Sequence, residues 1–259
     1  MARYQNKYLI FFLIPTLFFT CNSKKDKNLS SYVTSIKDDV NGFSFEYVEN
    51  DPTGLRLYTL ENGLKVYLGK NNEEPKIQTL IAVRAGSTYD PADNTGLAHY
   101  LEHMVFKGTS KMATINWEKE KVVLKQLSDL YELRRNTVDE NKRKSIYRDI
   151  DSLSGLAAKF AVPNEYDKMI SSIGAKGTNA YTSSERTVYI NEIPANEFEK
   201  WLSIEAERFS ELVLRLFHTE LEAVYEEYNR SRDNDYWLAY EEMAKSLFKK
   251  HSYGTQTTI

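Results

Sequence analysis

Between Thr95 and Thr109 the chain reads TGLAHYLEHMVFKGT, a run that puts His99, Glu102 and His103 within about one turn if it is helical. At about 100° per residue the two histidines stand one above the other, with the glutamate beside them. Two imidazoles at i and i+4 can hold one metal ion. A carboxylate one position before the second imidazole stands next to that ion, too close in sequence to complete a three-ligand site with both. The layout is hydrolytic. Leu97, Tyr100, Leu101, Met104, Val105 and Phe106 supply the apolar surface that buries such a helix, Thr95 is expected to cap its start and Gly108 to end it. A single helical histidine is most often satisfied by ordinary hydrogen bonds. The chain has only 4 histidines, however, and two of them fall in HxxEH register, which favours a metal.

The surrounding pattern predicts an α+β fold, mainly antiparallel sheet packed against helices. Leu55 to Leu60 and Leu64 to Leu68 are short alternating runs joined at Glu61-Asn62-Gly63, and Asn-Gly between such runs marks a hairpin. Ile77 to Ala85 reads as the next strand, followed by a loop into the motif helix. Three strands and then a helix point to an antiparallel or mixed sheet under helices, not to a parallel nucleotide-binding sheet. From 112 to 162 the composition is charged and helical. Val123, Leu127, Leu130 and Leu133, then Ile146, Ile150, Leu153 and Leu156, recur at helical spacing around a polar break at Thr137 to Glu140, which predicts two helices folded back on each other. Gly174 to Ile193 reads as glycines for close backbone approach followed by a strand, and Phe198 to Phe209 as an amphipathic helix.

With 259 residues, 41% of them apolar and 27% charged, the chain can bury one large core or two small ones. A formal net charge of −3 gives no field to hold nucleic acid, so that partner class is set aside. Arg3 and Lys7 precede an apolar core from Tyr8 to Phe19, which is too short to span a membrane comfortably and reads as a signal peptide over 1–20. Cys21 follows at once. As the only cysteine it makes no internal disulfide, and its place after that core predicts lipidation and a membrane anchor at the cell envelope, although FFTC departs from the usual lipoprotein box. Residues 21–44 are expected to form a flexible tether, with the main domain running over 45–259.

A catalytic zinc usually takes three protein ligands and leaves one position to water, so a third ligand must come from further along. Glu220 to Asn229, ELEAVYEEYN, offers Glu220, Glu222, Glu226 and Glu227 on one helix, and spacing alone does not choose among them. His218 is a rival on chemical grounds.

HYLEH is the inverted zinc motif. With LRLYTLENGLKVYL, VRAGSTYD, GTNAYTSSERTVYI and ELEAVYEEYNRSRDND around it, the chain from about Thr53 onward resembles the family of pitrilysin, insulin-degrading enzyme and the mitochondrial processing peptidase. The resemblance implies one half-domain of the processing-peptidase-like metallohydrolase fold, with the helical pair at 112–162 as an insertion. It implies one zinc per chain, held by His99, His103 and Glu227, with Glu220 as a supporting carboxylate. It also places Asn179 and Ala180 on a sheet edge along which a peptide substrate pairs, and makes Glu102 the general base that takes a proton from water and returns it to the leaving amine. Family members enclose substrate between two related halves or two chains. A second half or partner subunit is therefore expected, and the chain is read as a truncated member of the family. Two other readings are an inactive partner subunit that binds zinc and peptide without turnover, and a tethered binding protein with a structural zinc.

Overall fold

The computed structural model describes residues 32–257. The expected signal segment and Cys21 lie outside the described residues. The chain divides into two units, one up to Asn72 and one from Glu73.

The first unit is a four-stranded antiparallel meander of β1 (Thr34–Asp38), β2 (Ser44–Val48), β3 (Arg56–Thr59) and β4 (Lys65–Leu68), in that spatial order. The β3–β4 turn is the expected hairpin. Gly63 takes φ +86°, its N–H donates to Leu60 O at 2.8 Å, and Asn62 Oδ1 accepts from Leu64 N at 3.0 Å. The expectation of a tether through residue 44 is corrected here, because β1 lies within that span and pairs in register with β2 from Thr34↔Val48 to Asp38↔Ser44. Asp39 closes the turn between them by accepting from Asn41 N and Phe43 N, each at 2.9 Å. Backbone ladders of this kind do not require apolar side chains. Ile36 is 71% exposed, and the polar look of the segment hid the strand.

The second unit carries a separate three-stranded antiparallel sheet of β5 (Lys76–Val83), β6 (Lys176–Thr182) and β7 (Thr187–Pro194), in the order β5-β7-β6. The hairpin and the following strand thus belong to two sheets and not to one. Around the second sheet are α1 (Leu97–Val105), α2 (Trp117–Arg135), α3 (Glu140–Ala158), α4 (Glu165–Ser172), α5 (Phe198–Ser210), α6 (Phe217–Arg232) and α7 (Asp235–Leu247). The α+β class follows. Helices α4 and α5 close over the sheet through a core of Tyr166, Ile170, Ile193 and Trp201, with Ile77, Ile81 and Phe106 against it.

Helices α2 and α3 pair through Val123, Leu127, Ile146, Ile150 and Ala157, with Leu124, Leu130, Tyr131 and Leu153 packed on them. Leu133 and Leu156, expected on that face, are instead 46% and 41% exposed. Leu124 and Tyr131 take up the seam, since i, i+3 and i+7 steps from Leu124 stay closer to it than a step to 133.

Candidate metal centre

Helix α1 begins differently from expectation. Its N-cap is Gly96, at φ +86°, and makes no side-chain cap; the orphan N–H groups of Gly96 and Ala98 donate to Asp90 Oδ2 and Oδ1 at 2.7 and 2.8 Å. A carboxylate there also suits the positive end of the helix dipole. At the other end Gly108 adopts φ +92°, where a Cβ would sit 2.9 Å from Arg215 Nη1 and closer still to Met112 O and Ala113 Cβ.

That arginine is the anchor of the region. Arg215 is 1% exposed and all five of its N–H groups are used: Nε and Nη2 reach Glu120 Oε1 and Oε2 at 2.6 and 2.9 Å, Nη1 reaches Lys107 O and Met112 O at 2.7 and 3.0 Å, and Nη2 reaches Thr109 O at 3.0 Å. The start of α2, the loop after α1 and the approach to α6 are thereby tied together. Tyr100 adds a second tie, donating to Phe217 O at 2.7 Å. Helix α6 is held beside α1 as a result.

The consequence is a triangle of ligand atoms. His99 Nε2 and His103 Nε2 are 3.3 Å apart, and Glu227 Oε2 lies 3.5 Å from the first and 3.6 Å from the second. In a tetrahedral site with ligand bonds of about 2.0–2.1 Å, neighbouring ligand atoms stand about 3.3–3.4 Å apart. The donor set of two imidazoles and one carboxylate is also one that zinc accepts, so these residues fit the ion. Among the described residues this is the one group of three or more histidine, cysteine or acidic side chains with all ligand atoms within 4.8 Å. Glu102 is not part of it.

The carboxylates left open by spacing separate in space. Glu220 Oε2 stands 3.4 Å from His103 Nδ1 and its Oε1 is 2.6 Å from Lys107 Nζ, so it fixes the ring that carries the facing nitrogen. Glu222 lies 3.9 Å from His218 Nε2. His218 itself sits between the Tyr131 and Tyr147 hydroxyls at 3.1 and 3.3 Å, away from the triangle. His251 accepts from Tyr253 N at 3.2 Å and is likewise outside it.

Titration follows these contacts. Burial, then the neighbouring His103, lowers the His99 pKa, which favours the neutral ring that ligation needs. The hydrogen bond to Glu220 raises that of His103 despite burial. Burial works to raise the Glu220 carboxyl, but His103 and Lys107 outweigh it and hold it below the usual glutamate value.

Glu102 is 7% exposed and its Oε2 accepts from Thr182 Oγ1 at 2.6 Å. It borders, with the triangle, a cleft of about 610 Å³ whose lining includes Phe106, Asp167, Asn179 and Ala180. Asn179 and Ala180 lie on β6, paired on one side with Ile190 and Tyr189 of β7. Among the described residues the other side of β6 has no strand, so it is a sheet edge beside the cleft. Spacing did not single out Lys107, Glu120, Thr182 or Arg215. Thr182 alone carried a signal, as the residue two beyond Ala180 on the same side of the pleat.

The chain is similar to several known proteins. The chain is 37% identical over 89 residues to the mitochondrial-processing peptidase subunit beta of Dictyostelium discoideum, covering 32% of this chain and 18% of that protein. It is 25% identical over 207 residues to an uncharacterized zinc protease of Rickettsia bellii (strain RML369-C), covering 77% of this chain and 38% of the relative. The fold matches the crystal structure of pitrilysin with a TM-score of 0.52 at 19% identity, over 79% of this chain and 17% of that one. The chain thus spans well under two thirds of the length of each of these proteins. The insulinase family model (Peptidase family M16) matches residues 65–149 and 152–258, more than half of the sequence and both stretches that build the triangle, and the chain belongs to that family.

Proposed function

We propose that the chain is the catalytic part of a zinc-dependent endopeptidase that cleaves unfolded peptides or small polypeptides and works with a second half or partner subunit. The observation that carries this is the His99, His103 and Glu227 triangle with Glu102 beside it but outside it. Zinc held by these three side chains would acidify its water toward a pKa of about 7 and polarise a peptide carbonyl.

The chain's own residues supply the rest. Glu102 takes a proton from water and returns it to the departing amine nitrogen. The free edge of β6 pairs with an extended substrate backbone, which binds many sequences through main-chain hydrogen bonds, and Asn179 and Ala180 lie where that backbone runs. Glu220 holds His103 in the orientation that ligation needs. A partner subunit is in keeping with the name of the Dictyostelium relative, which describes a subunit.

The test is Glu102→Gln, assayed on an unfolded peptide with the chain alone and with a partner half supplied. Zinc content and peptide binding should stay near parental while turnover falls by about 10² to 10⁴. Parental turnover by that variant would rule out Glu102 as the base.

A further inference from the structure

We infer that Thr182 is a positioning residue for Glu102, and that β6 thereby sets both the path of the substrate and the orientation of the base. The inference rests on the function proposed above. Helix α1 fixes the Cα of Glu102, but three side-chain torsions separate that atom from the carboxylate, so something else must aim it.

Thr182 does this from a buried position. It is 8% exposed, and its Oγ1 lies 2.6 Å from Glu102 Oε2 and 3.2 Å from Thr187 Oγ1. Thr187, 5% exposed, also donates to Ala85 O at 3.0 Å. A hydroxyl has one proton and two acceptor positions. With the Thr182 proton given to Glu102, the Thr187 proton serves Ala85 O or Thr182 Oγ1, and neither of these two hydroxyls lacks an acceptor. The carboxylate is thus pinned to the end of β6, the start of β7 and the segment just after β5. With Oε2 engaged, Oε1 is the oxygen left for a water in the cleft.

The same strand carries Asn179 and Ala180. Ala180 and Thr182 are two apart and share a side of the pleat, so a shift of β6 moves the peptide path and the base together. Distances between them are kept by the strand itself, and displacements of about 1 Å in such an arrangement can cost about 10² in rate.

The experiment compares Thr182→Val, Thr182→Ala and Thr182→Ser in the full chain, assayed with its partner half. The two variants without a hydroxyl should lose about 10- to 100-fold in kcat with KM and zinc content near parental, and Thr182→Ser should recover most of the loss. A crystal structure of Thr182→Val should show the Glu102 carboxylate displaced from its position beside residue 182. The inference is overturned if the hydroxyl-free variants turn over at the parental rate, if Thr182→Ser is no better than Thr182→Ala, or if the carboxylate does not move. Should Thr182→Val not fold, the Ser and Ala pair decides. Inactive Glu102→Gln together with fully active Thr182→Ala would remove this inference and leave the proposed function standing, whereas active Glu102→Gln would remove the function itself.

Discussion

Arg215 and Glu120 form a two-pronged ion pair in the interior, Nε to Oε1 at 2.6 Å and Nη2 to Oε2 at 2.9 Å, with both side chains all but inaccessible to solvent. Two charges taken out of water cost several kcal/mol each, and the pair is tolerated because the remaining guanidinium protons go to Lys107, Thr109 and Met112 carbonyls. Removing one partner strands the other. Glu120→Gln or Arg215→Met should each destabilise the fold by about 3–5 kcal/mol, read as a drop in thermal midpoint of roughly 6–20 °C for a unit of this size. The double variant should lose less than the sum of the two. Single variants that melt with the parent would show that the pair holds nothing together. Because the carbonyls belong to the loop after α1, the same variants should also retain zinc less firmly.

This pair marks the boundary of what the sequence made legible. The motif histidines, Glu102 and the acidic run on α6 are local patterns, and a helix turns spacing into geometry without help from the rest of the fold. The Arg215–Glu120 pair joins positions 95 residues apart, and nothing periodic announces it. Asp90 displaced Thr95 as the cap of α1 for a similar reason, since a carboxylate six residues upstream reaches the helix only once the intervening loop has folded back. Helix α4 was missed because its eight residues are too short to show a period, although Tyr166 and Ile170 fall one turn apart and are both buried. The choice of Glu227 over Glu220, Glu222 and Glu226 depended on the resemblance, and among the described residues it is Glu227 whose carboxylate lies with both histidines.

The ligand triangle predicts one zinc per chain. His99→Ala, His103→Ala and Glu227→Gln should each lose most bound zinc by metal analysis of dialysed protein, and Glu226→Gln should keep it. Full occupancy in the Glu227 variant would move the third ligand elsewhere on α6.

Glu220 should matter in degree and not in kind. It touches His103 Nδ1 and Lys107 and does not join the triangle, so Glu220→Gln should weaken zinc binding by about 10- to 100-fold while leaving one site per chain. Competition against a chelator of known affinity measures this. A complete loss of the site would make Glu220 a ligand, and an unchanged affinity would make its contact with His103 incidental.

The core tyrosines predict how the fold fails in alkali. Burial pushes the Tyr189 hydroxyl up to about 12, and burial likewise raises those of Tyr100 and Tyr166. An unfolded tyrosine titrates near 10. Each folded-state pKa therefore lies above the unfolded value, so the stabilisation is fully present below about pH 10 and is lost as the pH rises through the folded value. For Tyr189 that window runs from about pH 10 to about 12 and is worth on the order of 3 kcal/mol. Tyr100 and Tyr166 steepen the loss. Tyr166 donates towards Asn191 and Glu205, and for both Tyr166 and Tyr189 burial outweighs the opposing pull of the nearby Arg208 cation, so ionising either puts a poorly solvated charge into the interior. A joint titration of tyrosinate absorbance and circular dichroism should show the exposed tyrosines ionising first, and the last few only as helical signal disappears. Full tyrosinate absorbance below about pH 11 with the helical signal intact would show that these side chains are not held in the interior.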